Sequence, residues 1–210
     1  CAQSIMSKYK NKMSGAWGNV GCFSAHPLKN LNAIGDSGYL TTDDKTIYQK
    51  IKSLSTHGMD ESRDNIKNFG YVSRMDNVQA AVLNFRLQNL NKIIKIRRKN
   101  ARVYLENLNL NKVYFPVEKK VEFNTYHTFV IQVDRRDQLK KYLKKNGVDT
   151  AIHYPVPIHL QKASQFLDLK NRSFPITEKQ SERILTLPVN QYLKKGEILY
   201  ICKLINNFYS

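Results

Sequence analysis

From Ser73 to Leu108 apolar residues keep returning to one side of a helix: Val78, Ala81, Val82, Phe85, Leu90, Ile93 and Ile94, then, beyond Arg97, Arg98 and Lys99, Ala101, Tyr104, Leu105 and Leu108. Residues three and four apart share a helix face, so this spacing predicts one long helix, and a helix of that length has to bridge two parts of a molecule. The stretches on either side of it read differently. Before it, Val20 to Ser24 and Tyr39 to Thr42 are short apolar or β-branched runs bounded by Gly and Asp, the pattern of buried strands. Asp43 then caps a helix with apolar positions at Ile47, Ile51 and Leu54, closed by Gly58. After the long helix, Thr125 to Val133 alternates as a strand, Asp134 caps a helix ending before Gly147, and Val148 to Tyr154 is again strand-like. Pro155, Pro157, Pro175 and Pro188 punctuate the remainder, up to a last helix holding Ile198, Ile201, Leu204, Ile205 and Phe208. Strands interleaved with helices make this an α/β chain. The change of pattern places a boundary near residue 110, with residues 1–110 as the remainder of a larger domain plus its connecting helix, and 111–210 as a smaller α/β domain.

A chain of 210 residues has room for one large domain, or one and a fraction. Lys and Arg number 34 against 17 Asp and Glu, a formal charge of +17, and such a field favours anionic partners. Lysine dominates, however, and is spread over nearly every segment, whereas a nucleic-acid face needs its charge gathered along one groove. The charge therefore reads as compositional drift and argues against nucleic acid. No run approaches the roughly 18 uninterrupted apolar residues of a membrane helix. Cys1-Ala2-Gln3-Ser4 leads to Lys8, Lys10 and Lys12 instead of an apolar signal core, so neither a membrane span nor a secretory signal is expected. Cys1, Cys22 and Cys202 are odd in number and widely spaced, which suits reduced thiols in a cytoplasm and neither a disulfide framework nor a zinc site. Opening on Cys instead of Met suggests the back part of a longer protein.

Generic site patterns are absent: no P-loop, paired-glycine fingerprint, His/Cys metal spacing or nucleophile elbow occurs. One stretch stands out, Gly21-Cys22-Phe23-Ser24-Ala25-His26-Pro27-Leu28-Lys29-Asn30-Leu31 followed by Gly35-Asp36-Ser37-Gly38. There a strand ends in a polar, proline-stiffened loop that carries a single lysine into Gly-rich backbone. Loops at strand ends are a usual place for a ligand site.

Together with Cys1-Ala2-Gln3, His57-Gly58, Ser73-Arg74-Met75-Asp76 leading to Gln79-Ala80-Ala81, and Ile152-His153-Tyr154-Pro155, this loop resembles the DegT-type nucleotide-sugar aminotransferases over nearly the whole chain. The resemblance implies the type I fold of pyridoxal-phosphate-dependent transferases. The chain would be the back part of the large domain, a long connecting helix and a small C-terminal α/β domain. It further implies pyridoxal 5′-phosphate as cofactor, with Lys29 bonding to it covalently and moving a proton between Cα of the amino donor and C4′ of the cofactor. Such a lysine must be able to lose its charge near neutral pH. Ser24 matches the hydroxyl that holds the cofactor phosphate, and Gln3 the glutamine that meets the ring hydroxyl. The carboxylate that pairs with the pyridine nitrogen falls just before Cys1, so this stretch alone is expected to be inactive.

The implied reaction moves an amino group from glutamate or glutamine to a keto group on a nucleotide-linked sugar, for amino-sugar and surface polysaccharide synthesis by a cytoplasmic homodimer. His153 and Tyr154 fall where the small domain meets the sugar or its diphosphate, although residues of these types on a strand also serve as packing. Arg74 suits a charge-assisted contact to the neighbouring subunit's cofactor phosphate, or equally a helix-start ion pair. Val72 departs from the family, which commonly has at that position an Asn that reaches across the dimer, and an apolar side chain cannot donate that hydrogen bond. His26 and His57 either line the pocket or fasten its loops. Sugar dehydratases of the same family replace the cofactor lysine by histidine, so Lys29 favours transamination. A non-catalytic remnant or binding module is the remaining reading, and no metal is implied.

Overall fold

The structure, a computed structural model, describes residues 1–167, 169 and 174–210. In chain order its elements are β1 (Lys8–Tyr9), β2 (Lys12–Met13), β3 (Gly21–Ser24), β4 (Gly38–Thr41), α1 (Lys45–Leu54), α2 (Asn77–Leu87), α3 (Leu90–Asn107), β5 (Val113–Tyr114), β6 (Glu122–Phe123), β7 (Phe129–Val133), α4 (Arg136–Lys145), α5 (Pro175–Arg183), β8 (Ile184–Leu187) and α6 (Lys195–Phe208), with 3₁₀ turns at Ile158–Leu160 and Lys162–Leu167. They divide into two compact units, Cys1–Lys95 with Glu118–His127, and Ile96–Val117 with Thr128–Ser210. A single cut near residue 110 differs from this division, which falls inside α3 and returns residues 118–127 to the first unit.

In the first unit β1 pairs antiparallel with β2 on one side and β6 on the other, and β3 pairs antiparallel with β4 from Gly21↔Thr41 to Ser24↔Gly38. Its core consists of Ala25, Leu31, Ala33, Leu83, Leu90 and Ile94, with Ile5, Met6, Tyr39, Met75 and Phe123 packed against it. Ala25, Leu31 and Ala33 belong to the loop that carries Lys29, so burial of apolar side chains anchors that loop at both ends. The strands themselves are not buried as expected. Only Gly21 of β3 is buried and no residue of β4 is, because a two-stranded ladder leaves two open edges and a bare face. Asp44, not Asp43, caps α1: its Oδ1 accepts from the backbone N–H groups of Thr46 (2.7 Å) and Ile47 (3.0 Å), the two donors a cap one residue before Lys45 can reach.

The long helix is two helices. Asn89 N–H turns back to Arg86 O (3.1 Å), and Asn89 O then accepts from Ile93 N–H (3.1 Å) to begin α3. Within α2 the inward residue is Leu83, while Val78 (63% exposed) and Phe85 (69%) point away. Gln79, Leu83 and Arg86 share that inward face, and the two polar members bond the backbone of the Lys29 loop. An apolar periodicity cannot register a face on which polar residues are the ones in contact.

In the second unit β7 lies between β5 and β8, antiparallel to both, with Phe129, Ile131 and Val133 buried. Leu139 and Leu143 of α4 and Ile198, Ile201, Cys202, Leu204 and Ile205 of α6 are buried as well. Burial pushes the Cys202 thiol up to about 11, out of the range where it would react as a thiolate at neutral pH. Arg97, Asn100 and Tyr104 lie along one side of α3 and fasten the stretch after β8, through Gln191 Oε1 (3.1 Å), Asn190 O (2.7 Å) and Pro188 O (2.8 Å) respectively.

Three expectations change in this part of the chain. The strand expected from Thr125 begins only at Phe129, because Tyr126 N–H donates to Asn124 Oδ1 (2.8 Å) and Tyr126 is left-handed at φ 45°, a turn that ends the alternation. Asp134 does not cap α4, which starts behind Arg135; its carboxylate instead pairs with Arg183 at 3.0 Å. From Val148 to Tyr154 only Ala151 pairs, with Thr186 of β8, so no strand forms there.

Candidate active site

Ser24 is the last residue of β3, and the chain leaves it in a loop without regular structure that is nevertheless tied down almost residue by residue. Ser24 Oγ accepts from His26 N–H (3.4 Å), His26 Nδ1 accepts from Leu28 N–H (3.2 Å), and His26 O accepts from Lys29 N–H (2.9 Å). Asn32 Nδ2 donates to Pro27 O at 2.8 Å, and Ala33 N–H closes the base on Ala25 O at 2.8 Å. His26 therefore fastens the turn that presents Lys29. Its further approach to the exposed Asp36, 3.7 Å, is a surface pairing of little energetic weight.

α2 and the β6 segment complete the fastening. Arg86 Nη1 donates to Asn32 O (2.8 Å) and Ala33 O (3.2 Å), while Gln79 Oε1 accepts from Ile34 N–H (2.9 Å) and Gly35 N–H (3.2 Å). A Cβ at Gly35 would stand 2.8 Å from Gln79 Nε2, so the absence of a side chain there permits the approach. Asn30 Nδ2 in turn donates to Thr125 O, just after β6, at 3.1 Å. A loop whose backbone is bonded at this many points holds the root of the Lys29 side chain in one place. Lys29 and Ser24 are half-buried, and Gln3 is exposed.

Arg74 is exposed and lines a cleft of about 900 Å³ in the same unit, with Phe23, Tyr39, Leu40, Tyr71 and Met75. Phe23 and Tyr39 stack across the β3–β4 ladder, centroids 5.0 Å apart and planes 7° off parallel, and burial raises the Tyr39 phenol. Val72 is 65% exposed and bridges to Thr56. This segment hangs on His57 N–H to Tyr71 O (2.9 Å) and Tyr71 N–H to Leu54 O (2.7 Å). His57 thus acts through its backbone to fasten the segment. Gly58 beside it has φ +77°, and a Cβ there would run into the Asn68 carbonyl. Gly58→Ala is therefore expected to cost more than about 1 kcal/mol, since it combines a left-handed backbone with a backbone collision; a lowered urea midpoint at unchanged m-value checks it.

His153 and Tyr154 belong to the second unit and are exposed, their rings edge to face at 5.4 Å. His153 Nδ1 meets Thr186 Oγ1 at 2.9 Å. One ring nitrogen is occupied by β8, which orients the imidazole, and Nε2 is the nitrogen left to meet a ligand. The structure thus gathers Gln3, Ser24, Lys29 and Arg74 into one unit and places His153 and Tyr154 in the other. No helix among the described residues is long and apolar enough to cross a membrane. Asn30, Arg86 and Thr125 carry no mark of a functional role in the sequence. Arg86 is a polar residue on a helix face that apolar periodicity does not register, and Asn30 and Thr125 give no local signal at all.

A sequence profile of the DegT/DnrJ/EryC1/StrS aminotransferase family matches residues 1–206. The chain belongs to this family. It is 34% identical over 211 residues to the pleiotropic regulatory protein of Geobacillus stearothermophilus, covering 99% of this chain and 56% of that protein. It is 34% identical over 205 residues to the UDP-N-acetyl-3-dehydro-alpha-D-glucosamine 3-aminotransferase of Acidithiobacillus ferrooxidans, covering 98% and 55%. A solved DegT/DnrJ/EryC1/StrS aminotransferase from Brucella abortus matches with a TM-score of 0.93 at 33% identity, over 100% of this chain and 56% of its own. The chain spans a little over half the length of the curated relatives it matches, and its mixed α/β structure corresponds to part of the aminotransferase fold, as its sequence motifs implied.

The residues present suit the cofactor this family implies, pyridoxal 5′-phosphate. A half-buried primary amine on a fixed loop can meet an aldehyde, a hydroxyl at the strand end can meet a phosphate, and a side-chain amide can meet a ring hydroxyl.

Proposed function

We propose that this chain carries the lysine side of the active site of a pyridoxal-phosphate-dependent aminotransferase, one that moves an amino group from glutamate or glutamine to a keto group of a nucleotide-linked sugar. When bound, the cofactor supplies an electron sink for the bonds made and broken at Cα. Lys29 Nζ is the atom that would bond to it and, once freed, would carry the proton between Cα of the amino donor and C4′ of the cofactor. Ser24 Oγ donates to the phosphate, and the Gln3 amide holds the ring hydroxyl. Arg74, in the cleft beside α1, is the cation available to a phosphate, including that of a second subunit in a homodimer. His153 Nε2 and the Tyr154 hydroxyl bind the sugar or its diphosphate. Working on nucleotide sugars with three unbonded cysteines, the enzyme belongs in the cytoplasm.

The observation that carries the reading is a lysine at position 29 on a loop immobilised by Asn30, Gln79 and Arg86. A dehydratase of the same family would have histidine at that position. The transaminase activity named for the Acidithiobacillus ferrooxidans relative supports the same side.

The test is an assay of the complete protein with an amino donor and a panel of nucleotide-linked keto sugars, run on the parent and on His153→Ala. Transfer to at least one sugar is expected. In the variant the half-reaction with the amino donor should be unchanged, while kcat/KM for the keto sugar falls about 2- to 12-fold, the worth of one neutral hydrogen bond. No transfer to any sugar would overturn the assignment; equal loss in both half-reactions would mark structural damage, and no loss in either would return His153 to packing.

A further inference from the structure

Asn30 follows Lys29 directly and is only 4% exposed. Its Nδ2 donates to the backbone carbonyl of Thr125, a residue 95 positions away and itself fully buried. Thr125 Oγ1 in turn meets Ser7 Oγ at 3.0 Å, and Ser7 leads directly into β1, the strand that pairs with β6 just before Thr125. The amide thus ties the lysine loop to the β1–β6 ladder through a short chain of hydrogen bonds, separate from the fastenings that Gln79 and Arg86 of α2 make.

Asn30 Oδ1 is also buried and has no hydrogen-bond partner among the described residues. A buried carbonyl oxygen left unpaired is costly, and leucine, with the same number and branching of side-chain heavy atoms, would leave no such orphan. Filling space therefore does not account for an asparagine here, whereas donating to Thr125 does. Among the loop's side-chain fastenings, this one comes from the residue bonded to Lys29 itself. The others grip His26, Pro27 and Leu28 on the near side of the lysine, and Asn32 to Gly35 beyond it.

We infer that Asn30 is a positioning residue for Lys29: by holding its own backbone to Thr125 it sets where the lysine side chain begins and so where Nζ can reach. This rests on the reading of Lys29 as the cofactor lysine. Without the amide the loop keeps its apolar anchors, Ala25, Leu31 and Ala33, and its bonds to α2, so the fold survives while the segment between Pro27 and Leu31 gains freedom.

The experiment compares the complete protein with Asn30→Leu, which keeps the branching of the side chain and removes the donor, and with Asn30→Ser, which is smaller and decides the matter if the larger leucine does not fit and the variant does not fold. Hydrogen exchange, which needs no cofactor, should show amides of the 26–33 segment exchanging at least about tenfold faster, with the remainder of the molecule unchanged. In single-turnover reaction with the amino donor the limiting rate should fall about tenfold or more while the half-saturating donor concentration stays put, as expected when a reacting amine is misplaced by a fraction of an ångström. Unchanged exchange in the loop, or an unchanged limiting rate, would overturn the inference. So would faster exchange spread over the whole molecule, which marks Asn30 as a general stabiliser. Borohydride trapping and peptide mapping of the parent protein tests the underlying reading separately. A label away from Lys29 would reject that reading even if the loop loosens in the variants.

Discussion

Lys29→Ala is expected to abolish covalent attachment of pyridoxal phosphate and to lower turnover of the complete protein by about 10²–10⁴-fold, the usual worth of a positioned proton-transfer group, with the loss of the covalent link added. The reason lies in the geometry of the loop. No other lysine stands between β3 and β4, and the backbone around this one is held by Asn30, Gln79 and Arg86. Lys29→Arg should fare no better, because a guanidinium stays charged at any working pH and cannot act as a nucleophilic amine. Borohydride reduction followed by peptide mapping reads the attachment directly. A label on a different lysine, or full turnover in the alanine variant, would remove Lys29 from the mechanism.

The second unit should lose about 3–5 kcal/mol of stability in Tyr104→Ala. Tyr104 has no exposed surface, stacks on Phe129 with centroids 4.8 Å apart and planes 20° off parallel, and donates its hydroxyl to Pro188 O at 2.8 Å. Burial holds its phenol well above the ordinary range, so the hydroxyl remains a donor throughout the pH range in which the protein folds. Tyr104→Phe separates the two contributions. It keeps the ring contact and leaves the Pro188 carbonyl without that donor, at a cost of about 1–3 kcal/mol. Urea unfolding followed by tyrosine fluorescence or near-ultraviolet circular dichroism measures both. An alanine variant that loses less than about 1 kcal/mol would mean that the ring is not packed against Phe129.

Much of the secondary structure was legible because it depends on near neighbours. The apolar spacing of Ile198, Ile201, Leu204 and Ile205 is enough to make α6, and Gly147, at φ +77°, ends the α4 region where a left-handed residue is needed. The two strands around the Lys29 loop were placed to within a residue. Errors arose where two local solutions compete at nearly equal cost. Asp43 and Asp44 are both good caps, and the choice falls on Asp44 because Thr42 Oγ1 accepts from its N–H at 3.1 Å. The break between α2 and α3 passes through Gln88 and Asn89, neither of which is a helix breaker by type.

The candidate site divides along the same line. Lys29, Ser24 and Gln3 could be picked out because they sit in ordered motifs, a property of the linear chain. What holds Lys29 could not be picked out, since Gln79 and Arg86 occupy the inward face of α2 as polar residues that periodicity assigns to solvent. Their partners are backbone groups some 45 to 54 residues away in sequence. Asn30 and Thr125 are farther apart still. Helix and turn formation are settled over a few residues by dihedral preference and the nearest hydrogen-bond partner, and the amino-acid order specifies them. Which distant carbonyl a buried amide must satisfy is settled only when the chain has packed, because desolvation then makes one particular partner necessary and gives it its place.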